Sequence, residues 1–309
     1  MAPEVHYRAC WHWFLSSLCG VPLNFMANSE AALSYCGQEV RKYDKDRFLT
    51  ALFAPAERRE ALFALYAFNL EIAKTREVVT EPVLGQIRLQ WWYDAIGEAY
   101  DGTPRRHEVL LPLAGAIREF GLTRGHFEKL IDAREADLTD EPPADATCLI
   151  NYAEVTGVPL VRLALETLGV SGNAAADEAA RHVGIAWALT GLLRAIPFHA
   201  RSHRLYMPKD ALARHDVAEG RLFDLKPPEG LKAVVGEVAD LARGHLREAR
   251  ALRRDVPRAA NPALLIASIA DTYLGVIAKQ GNDVFAPKVL MPNPFRQVRL
   301  GLRAMTGRY

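Results

Sequence analysis

The sequence predicts an all-α domain, because helical spacing of apolar residues dominates beyond residue 30 and strand-like alternation of apolar and polar residues is nearly absent. Half of the 309 residues are hydrophobic, which is enough to bury one large core. Short segments that contain Gly or Pro separate most of the helical stretches, as expected of joints between helices.

The predicted helices follow one another along the chain. The first begins just after Pro55, a residue favoured beside a helix start, and aligns Leu62, Leu65 and Ile72 on one face. The predicted helical ranges are 57–75, 84–100, 110–120, 126–138, 148–168, 174–194, 231–254 and 262–280. Residues 195–230 contain four prolines and predict a long irregular loop, a kind of segment that often carries function in compact domains.

Composition argues against several classes of protein. Basic and acidic side chains number 38 and 37, so the charge balance does not favour binding to nucleic acid. The four cysteines have no paired spacing, which argues against a zinc site or a disulfide framework and favours a reducing compartment over secretion. No uninterrupted apolar run reaches the roughly 20 residues of a membrane span.

The N-terminus allows two interpretations. Residues 9–26 are apolar and aromatic, which suits a signal or transit segment. Alternatively, the translation start lies too early, because Met26 opens a polar stretch that resembles an ordinary N-terminus. We expect residues 1–28 to be an extension outside the fold, residues 29–290 to form the helical domain, and residues 291–309 to form a tail.

The sequence of the tail predicts a basic amphipathic helix. Its apolar residues Phe295, Val298, Leu302 and Met305 fall on one helical face. Its charged residues are all basic: Arg296, Arg299, Arg303 and Arg308. Such a helix either binds an anionic membrane surface or an acidic partner, or packs back onto its own domain.

Two segments carry a resemblance to a known family. They are "ALYAFNLEIAKTREVVTEP" at residues 64–82 and "GIAWALTGLLRAIPFHARSHRLYMPKDAL" at residues 184–212. The second resembles the squalene/phytoene synthase pattern, and the first resembles that family's other metal-binding helix. The resemblance implies a terpenoid-synthase-like helical bundle around a central cavity, in which magnesium ions bridge prenyl diphosphates to carboxylates.

The sequence departs from the family pattern where the carboxylates are expected. The cavity positions that match the motifs are Ala73, Lys74, Glu77, Glu154, Arg194, Ala195, Phe198 and His199. In the magnesium motifs only Glu77 keeps a carboxylate, and Glu154 stands where the family has a cavity tyrosine. Because magnesium needs several oxygen ligands, we expect no metal and no cofactor; magnesium would be needed only for prenyl transfer.

Positive charge replaces the lost acids. The residues concerned, all candidates for anion binding, are Lys74, Arg76, Arg194, Arg201 and Arg204. Of these, Arg194, Arg201 and Arg204 either bind a phosphate or carboxylate, or form ion pairs with Asp132, Glu135 and Asp137 across the bundle. The acidic run to which these acids belong also includes Asp140 and Glu141, and it is either a metal site or, as we expect, a solvated face.

His199 and the aromatic residues near residue 91 each allow two interpretations. His199 either contacts an anion or is a hydrogen-bonded residue of the predicted loop. Gln90, Trp91 and Trp92 either line an apolar cavity or pack in the core.

A narrower resemblance is distributed over five motifs within residues 41–303: "AFNLEIA", "IRLQWWYDAI", "LIDAREADL", "NYAEVT" and "LLRAIPFHARSHRLYMPKD". They resemble the degenerate branch of the family that includes the mitochondrial complex I assembly factor six. This implies a pseudoenzyme that acts in assembly or stabilisation of respiratory NADH dehydrogenase. Its partner would be a subunit or an assembly intermediate.

The same resemblance implies a cytoplasmic or mitochondrial-matrix-like compartment, peripheral to the inner membrane, with a lipid or membrane surface as a further partner. Two alternatives remain open. One is an active prenyltransferase that condenses two prenyl diphosphates, and the other is a metal-free protein that binds a lipid or an anion.

Overall fold

The all-α prediction is confirmed. The computed structural model describes residues 33–79, 81–139, 141–291 and 296–309, and these residues form helices and connecting turns without a β-strand. The predicted extension at residues 1–28 and Phe295 of the tail lie outside the described residues.

Sixteen α-helices and two 3-10 helices occur in the described residues. The α-helices are α1 (Tyr35–Tyr43), α2 (Lys45–Ala51), α3 (Ala56–Ala73), α4 (Thr75–Val78), α5 (Pro82–Tyr100), α6 (Leu110–Phe120), α7 (Arg124–Asp132), α8 (Ala146–Thr167), α9 (Ala174–Arg201), α10 (Lys209–Arg214), α11 (Glu219–Phe223), α12 (Leu231–Ala251), α13 (Asn261–Leu264), α14 (Ile266–Lys279), α15 (Pro287–Leu290) and α16 (Arg296–Met305). The 3-10 helices are Ala136–Leu138 and Arg258–Ala260.

The 28-residue helix α9 lies at the centre of a compact unit, Tyr35–Tyr309. It packs against α8, α12 and α14, and α8 packs in turn against α3. Leu189, Leu193 and Ile196 follow the helical repeat on α9 and are almost completely buried. Removing each such side chain from water stabilises the fold by about 1.5–3 kcal/mol.

Aromatic contacts join α3 to the helices on its other side. Phe68 of α3 meets Trp92 of α5 and Phe127 of α7 edge to face, with ring centroids 5.5 and 5.4 Å apart. Trp92 is 1% exposed, so this tryptophan packs in the core. The contacts hold α3 in place, and the C-terminal end of α3 carries the first of the two resembling motifs.

The predicted loop at residues 195–230 is wrong over part of its length. Helix α9 continues through Pro197 to Arg201, and the short helices α10 and α11 interrupt the remainder. Proline inside a helix costs about 3 kcal/mol, but Pro197 is buried, and packing of α9 in the core compensates for this loss. His199 therefore lies on a helix and not on a loop.

Helices α8 and α9 approach each other closely at two glycines. A Cβ atom on Gly157 would lie 2.6 Å from the carbonyl oxygen of Gly184. A Cβ atom on Gly184 would lie 2.8 Å from the Cα atom of Val158. Side-chain carbon does not fit at such distances, so this crossing requires glycine on both helices.

Two helices, Ala146–Thr167 and Ala174–Arg201, are long and apolar enough to cross a membrane. The bent pair Arg258–Leu264 and Ile266–Lys279 would count as a third span if it were one helix. Polar residues interrupt the apolar stretches of these helices, so the criterion of an uninterrupted apolar run does not identify them. In the structure, 61% of the apolar window in α8 and 56% of that in α9 are buried inside the protein.

We predict that Gly184→Ala destabilises the protein, because the new methyl group must push the backbones of α8 and α9 apart. The expected loss in free energy of unfolding is about 1–3 kcal/mol, measured by denaturant titration. Gly275→Ala on α14 is the matched control, because a Cβ atom there meets nothing within 4 Å. Equal losses for both variants would contradict the close crossing.

Candidate functional site

A central cavity of about 280 Å³ lies between α3, α4, α8 and α9. The segment after α7 and the turn before α10 complete its wall. Its lining residues are Arg47, Asn69, Ala73, Arg76, Glu77, Arg134, Asp137, Tyr152, Thr156, Gly157, Trp187, Ala188, Gly191, Leu192, Ala195, His199, Arg204 and Tyr206. The cavity therefore joins the two segments that carry the family resemblance.

Half of the predicted cavity positions line this cavity. Ala73 and Glu77 lie at the end of α3 and on α4, and Ala195 and His199 lie one turn apart on α9. The other four, Lys74, Glu154, Arg194 and Phe198, are not among the lining residues, and the structure corrects these predictions. Three of them form ion pairs elsewhere, and the fourth is exposed.

Lys74 forms an ion pair with Glu71, the buried acid close to the first motif. The other carboxylate oxygen of Glu71 accepts a hydrogen bond of 2.7 Å from the Nη2 atom of Arg88 on α5. Two cations therefore compensate the charge of Glu71. This arrangement leaves the first motif with Glu77 as its carboxylate at the cavity.

Arg194 contributes to a second ion pair and not to the cavity wall. Its Nη1 atom lies 4.0 Å from Asp46, and its guanidinium group stacks 3.5 Å from the ring centroid of Tyr273. Asp46 also accepts hydrogen bonds from Arg296 and, at 2.7 Å, from the Tyr273 hydroxyl. Burial raises the pKa of Asp46, although Arg296 and Tyr273 act in the opposite direction.

Glu154 and Phe198 point away from the cavity lining for different reasons. Glu154 accepts two hydrogen bonds, of 2.8 and 3.0 Å, from the guanidinium group of Arg181 on α9. These bonds lower the pKa of Glu154. Phe198 is 55% exposed on the outer side of α9. The aromatic hydroxyls at the cavity come instead from Tyr152, two residues before Glu154, and from Tyr206.

Asp137 is the centre of a hydrogen-bond cluster that the sequence did not predict. It is 6% exposed and accepts hydrogen bonds from Tyr152, from Tyr206 at 3.2 Å and from Arg134 at 3.2 Å. The prediction of a solvated acidic face is therefore wrong for Asp137, while Asp132 and Glu135 are exposed. The ion-pair partner of Asp137 is Arg134, and Arg194, predicted to pair with this acidic run, pairs with Asp46 instead.

His199 packs on this cluster, with its ring centroid 4.6 Å from that of Tyr206. Burial lowers the pKa of His199 to about 4; the carboxylate of Asp137 opposes this shift and Arg204 adds to it. The imidazole is therefore neutral at physiological pH. It offers the cavity one nitrogen donor and one nitrogen acceptor but no charge.

Four arginines line the cavity: Arg47, Arg76, Arg134 and Arg204. Of the five predicted anion-binding residues, only Arg76 and Arg204 are among them, and Arg201 is exposed. Arg47 was missed because it lies in α2, far from both motifs, where it donates a 2.7 Å hydrogen bond to Asp44. Arg134 was missed because its neighbours in sequence are acidic.

The donor set of the cavity does not fit a magnesium site. Among the described residues, no group of three His, Cys, Asp or Glu side chains could hold a metal ion. Asp137 is bonded to two hydroxyl groups and a guanidinium, which leaves Glu77 as the other carboxylate of the lining. Hard divalent cations need several oxygen ligands, and the adjacent guanidinium groups repel them.

The C-terminal helix α16 packs on the domain with one side and exposes the other. Leu300 is buried, and the hydroxyl of Tyr309 donates a 3.0 Å hydrogen bond to the carbonyl oxygen of Ala249. The predicted apolar face is turned outward, since Val298, Leu302 and Met305 are 63%, 60% and 81% exposed. The tail therefore packs on the domain without using this face.

Comparison with known proteins identifies relatives of this chain. The squalene/phytoene synthase family profile matches residues 40–302. NADH dehydrogenase (ubiquinone) complex I, assembly factor 6 of Bos taurus is 34% identical over 275 residues, which cover 89% of this chain and 82% of that protein. A 15-cis-phytoene synthase of Synechococcus elongatus is 24% identical over 286 residues, 88% of this chain and 92% of the enzyme.

A solved structure supports the same fold. The crystal structure of a dehydrosqualene synthase aligns with a TM-score of 0.76 and covers 88% of this chain and 94% of that chain. The sequence identity is 19%, so the alignment shows that the two proteins share a fold.

We predict that His199 makes the protein less stable in acid. The folded protein binds this proton near pH 4 and the unfolded chain near pH 6.5, so stability falls as the pH drops through this window and is unaffected above it. Between about pH 7 and 4.5, wild type should lose about 2 kcal/mol more unfolding free energy than His199→Gln. Denaturant titration at both pH values measures this, and parallel losses would contradict burial of the neutral imidazole.

Proposed function

The chain belongs to the squalene/phytoene synthase family, and on this premise we propose that it assists the assembly or stabilisation of a respiratory NADH dehydrogenase without transferring prenyl groups. The observation that carries the proposal is the loss of carboxylates at the magnesium positions, where Ala73 and Ala195 line the cavity. A 34% identity to a complex I assembly factor over 89% of the chain supports the partner.

Ionisation of a prenyl diphosphate requires stabilisation of the leaving diphosphate, which metal ions supply in a metal-dependent enzyme. Glu77 is the one carboxylate of the lining that is not part of the Asp137 cluster. At a position where a metal site would need another acid, the cavity has the neutral imidazole of His199. A fold retained after loss of such a site can serve binding alone, because function depends on the site and not on the fold.

The proposed partner is a subunit or an assembly intermediate of NADH dehydrogenase, and the proposed location is peripheral to the membrane that holds this enzyme. The exposed face of α16 supports the location. Its apolar side chains lie beside exposed Arg299 and Arg308. The Nε atom of Arg258 also lies close to Gly307, 3.9 Å from the point where a Cβ atom of residue 307 would be. Apolar groups beside cations suit an anionic lipid surface.

A second candidate function is metal-free binding of an anion in the cavity. The specific observation in its favour is the presence of four lining guanidinium groups against the two carboxylates of Glu77 and Asp137. Guanidinium groups bind phosphate and carboxylate oxygens in pairs of hydrogen bonds. This function is compatible with assembly, since a bound anion would stabilise the folded state by mass action.

We predict that deletion of the gene lowers the amount of assembled NADH dehydrogenase, measured by native electrophoresis and by NADH oxidation in isolated membranes. Complementation with Glu77→Gln should restore it fully, because no magnesium depends on that carboxylate. The purified protein should release no pyrophosphate from farnesyl or geranylgeranyl diphosphate, with or without magnesium. Magnesium-dependent turnover would refute the proposal and support an active prenyltransferase.

We predict that the protein binds inorganic pyrophosphate in the presence of a chelator of divalent metals. Arg76→Ala and Arg204→Ala should each weaken binding by roughly tenfold, the value expected for loss of a charge-assisted hydrogen bond. Titration calorimetry measures the affinity. Arg201→Ala, an exposed arginine outside the lining, is the matched control and should bind as wild type does. Binding that disappears with the chelator would contradict this candidate.

We predict that the protein sediments with vesicles that contain phosphatidylglycerol, and less with vesicles of phosphatidylcholine alone. Leu302→Glu should reduce sedimentation, because it places a charge on the exposed face of α16. The matched control is Leu111→Glu on α6, which replaces another exposed leucine. Equal sedimentation of both variants would exclude α16 as the lipid contact.

A further inference from the structure

A second apolar surface lies on α4 and α5, and none of its residues lines the central cavity. Val78, Val83, Leu84 and Ile87 fall within ten residues of the chain and are 57%, 62%, 49% and 61% exposed. Val78, Leu84 and Ile87 line one groove together, and a cluster of exposed apolar side chains of this kind is a candidate site of interaction.

The surface consists of a ridge between two grooves. Ile87 and Trp91, one helical turn apart on α5, line both grooves and form what we call the α5 ridge. The first groove, of about 750 Å³, continues toward α7 and the residues that follow it. The second groove, of about 570 Å³, is lined by Val78, Val79 and Leu84 among others.

The two grooves differ in charge. The first is lined by the carboxylates of Asp94, Asp132 and Glu135 and by no basic side chain. Burial, together with the neighbouring charges of Glu135 and Glu128, raises the pKa of Asp132. In the second groove the acid is Glu71, which Lys74 and Arg88 already compensate.

The combination of apolar ridge and acidic groove identifies a kind of partner. An anionic lipid surface is disfavoured, because three carboxylates border the ridge. A helix that carries apolar side chains on one face and Lys or Arg beside them matches both features. The part of α5 that lines the two grooves, from Leu84 to Asp94, is about 15 Å long at the helical rise per residue, which accommodates about three turns of a partner helix.

We propose that the α5 ridge and its two grooves bind a basic amphipathic helix of a partner protein. The partner's apolar side chains pack against Ile87 and Trp91, and its cations lie opposite Asp94, Asp132 and Glu135. The proposal rests on the proposed function, since it supplies the contact by which an assembly factor holds a subunit or an intermediate. It differs from the central cavity in residues, in charge and in ligand.

The test uses the full-length protein and two synthetic helical peptides of about 18 residues with the same apolar face, one carrying Lys and the other Glu on its flanks. Fluorescence anisotropy should show the Lys peptide binding at least roughly tenfold more tightly than the Glu peptide. Ile87→Gln and the double variant Asp132→Asn, Glu135→Gln should each lower the affinity for the Lys peptide by roughly tenfold. The matched control, Leu111→Gln, should not change its affinity.

Several results would overturn the proposal. Equal affinity for both peptides would show that the carboxylates of the first groove do not select the partner. An unchanged affinity of Ile87→Gln for the Lys peptide would show that the α5 ridge does not contact it. Loss of sedimentation with phosphatidylglycerol vesicles in Ile87→Gln would assign the surface to lipid instead.

A complementation experiment separates this proposal from the proposed function. In a strain that lacks the gene and has lost assembled NADH dehydrogenase, Ile87→Gln should restore less enzyme than Leu111→Gln. Full restoration by Ile87→Gln would overturn the ridge proposal and leave the assembly function intact. If deletion of the gene leaves the enzyme unchanged, the assembly function fails, and the peptide titration alone decides the ridge proposal.

Discussion

Asp46, Glu71 and Asp137 are buried carboxylates, and each lies against at least one guanidinium group of the same chain. An unpaired charge in the interior costs several kcal/mol, so the helices that meet at these acids can pack only while the pairs are intact. The pairs connect α2 with α16, α3 with α5, and the segment after α7 with α8 through Tyr152. Of these pairs, the one between Asp137 and Arg134 lines the central cavity itself.

This pairing also determines what the cavity can do. Carboxylates that are bonded within the protein are not available to a metal ion, and the guanidinium groups that line the space favour anions. Guanidinium groups therefore outnumber carboxylates in this cavity, whereas a magnesium-dependent synthase is expected to have mainly carboxylates there, although the helical bundle is of the same kind. Two surfaces outside the cavity also combine apolar and charged groups. On α16 the apolar side chains lie beside arginines, and the α5 ridge lies beside a groove lined by carboxylates. If the proposed contacts of α16 and of α5 both form, the protein would contact lipid and polypeptide through two different surfaces.

Helical periodicity predicted most helices because their buried faces repeat every three to four residues, and this pattern is local. It failed at Pro197, where packing of α9 outweighs the local preference against proline. The site was less predictable. The motifs located Ala73, Glu77, Ala195 and His199 correctly at the cavity, since α3, α4 and α9 carry them. The partners of Arg194 and Glu154 could not be predicted, because they lie 148 and 27 positions away and no local pattern records which acid meets which base.

The pair between Asp46 and Arg296 spans nearly the whole chain, with 250 positions between the two residues. Synthesis on the ribosome is vectorial, so α2 emerges long before the arginine that compensates its buried acid. Until then the carboxylate must remain hydrated, and α2 cannot dock in its final position. Arg296 on α16 can therefore complete the packing around α2 only after the helices between them have been synthesised.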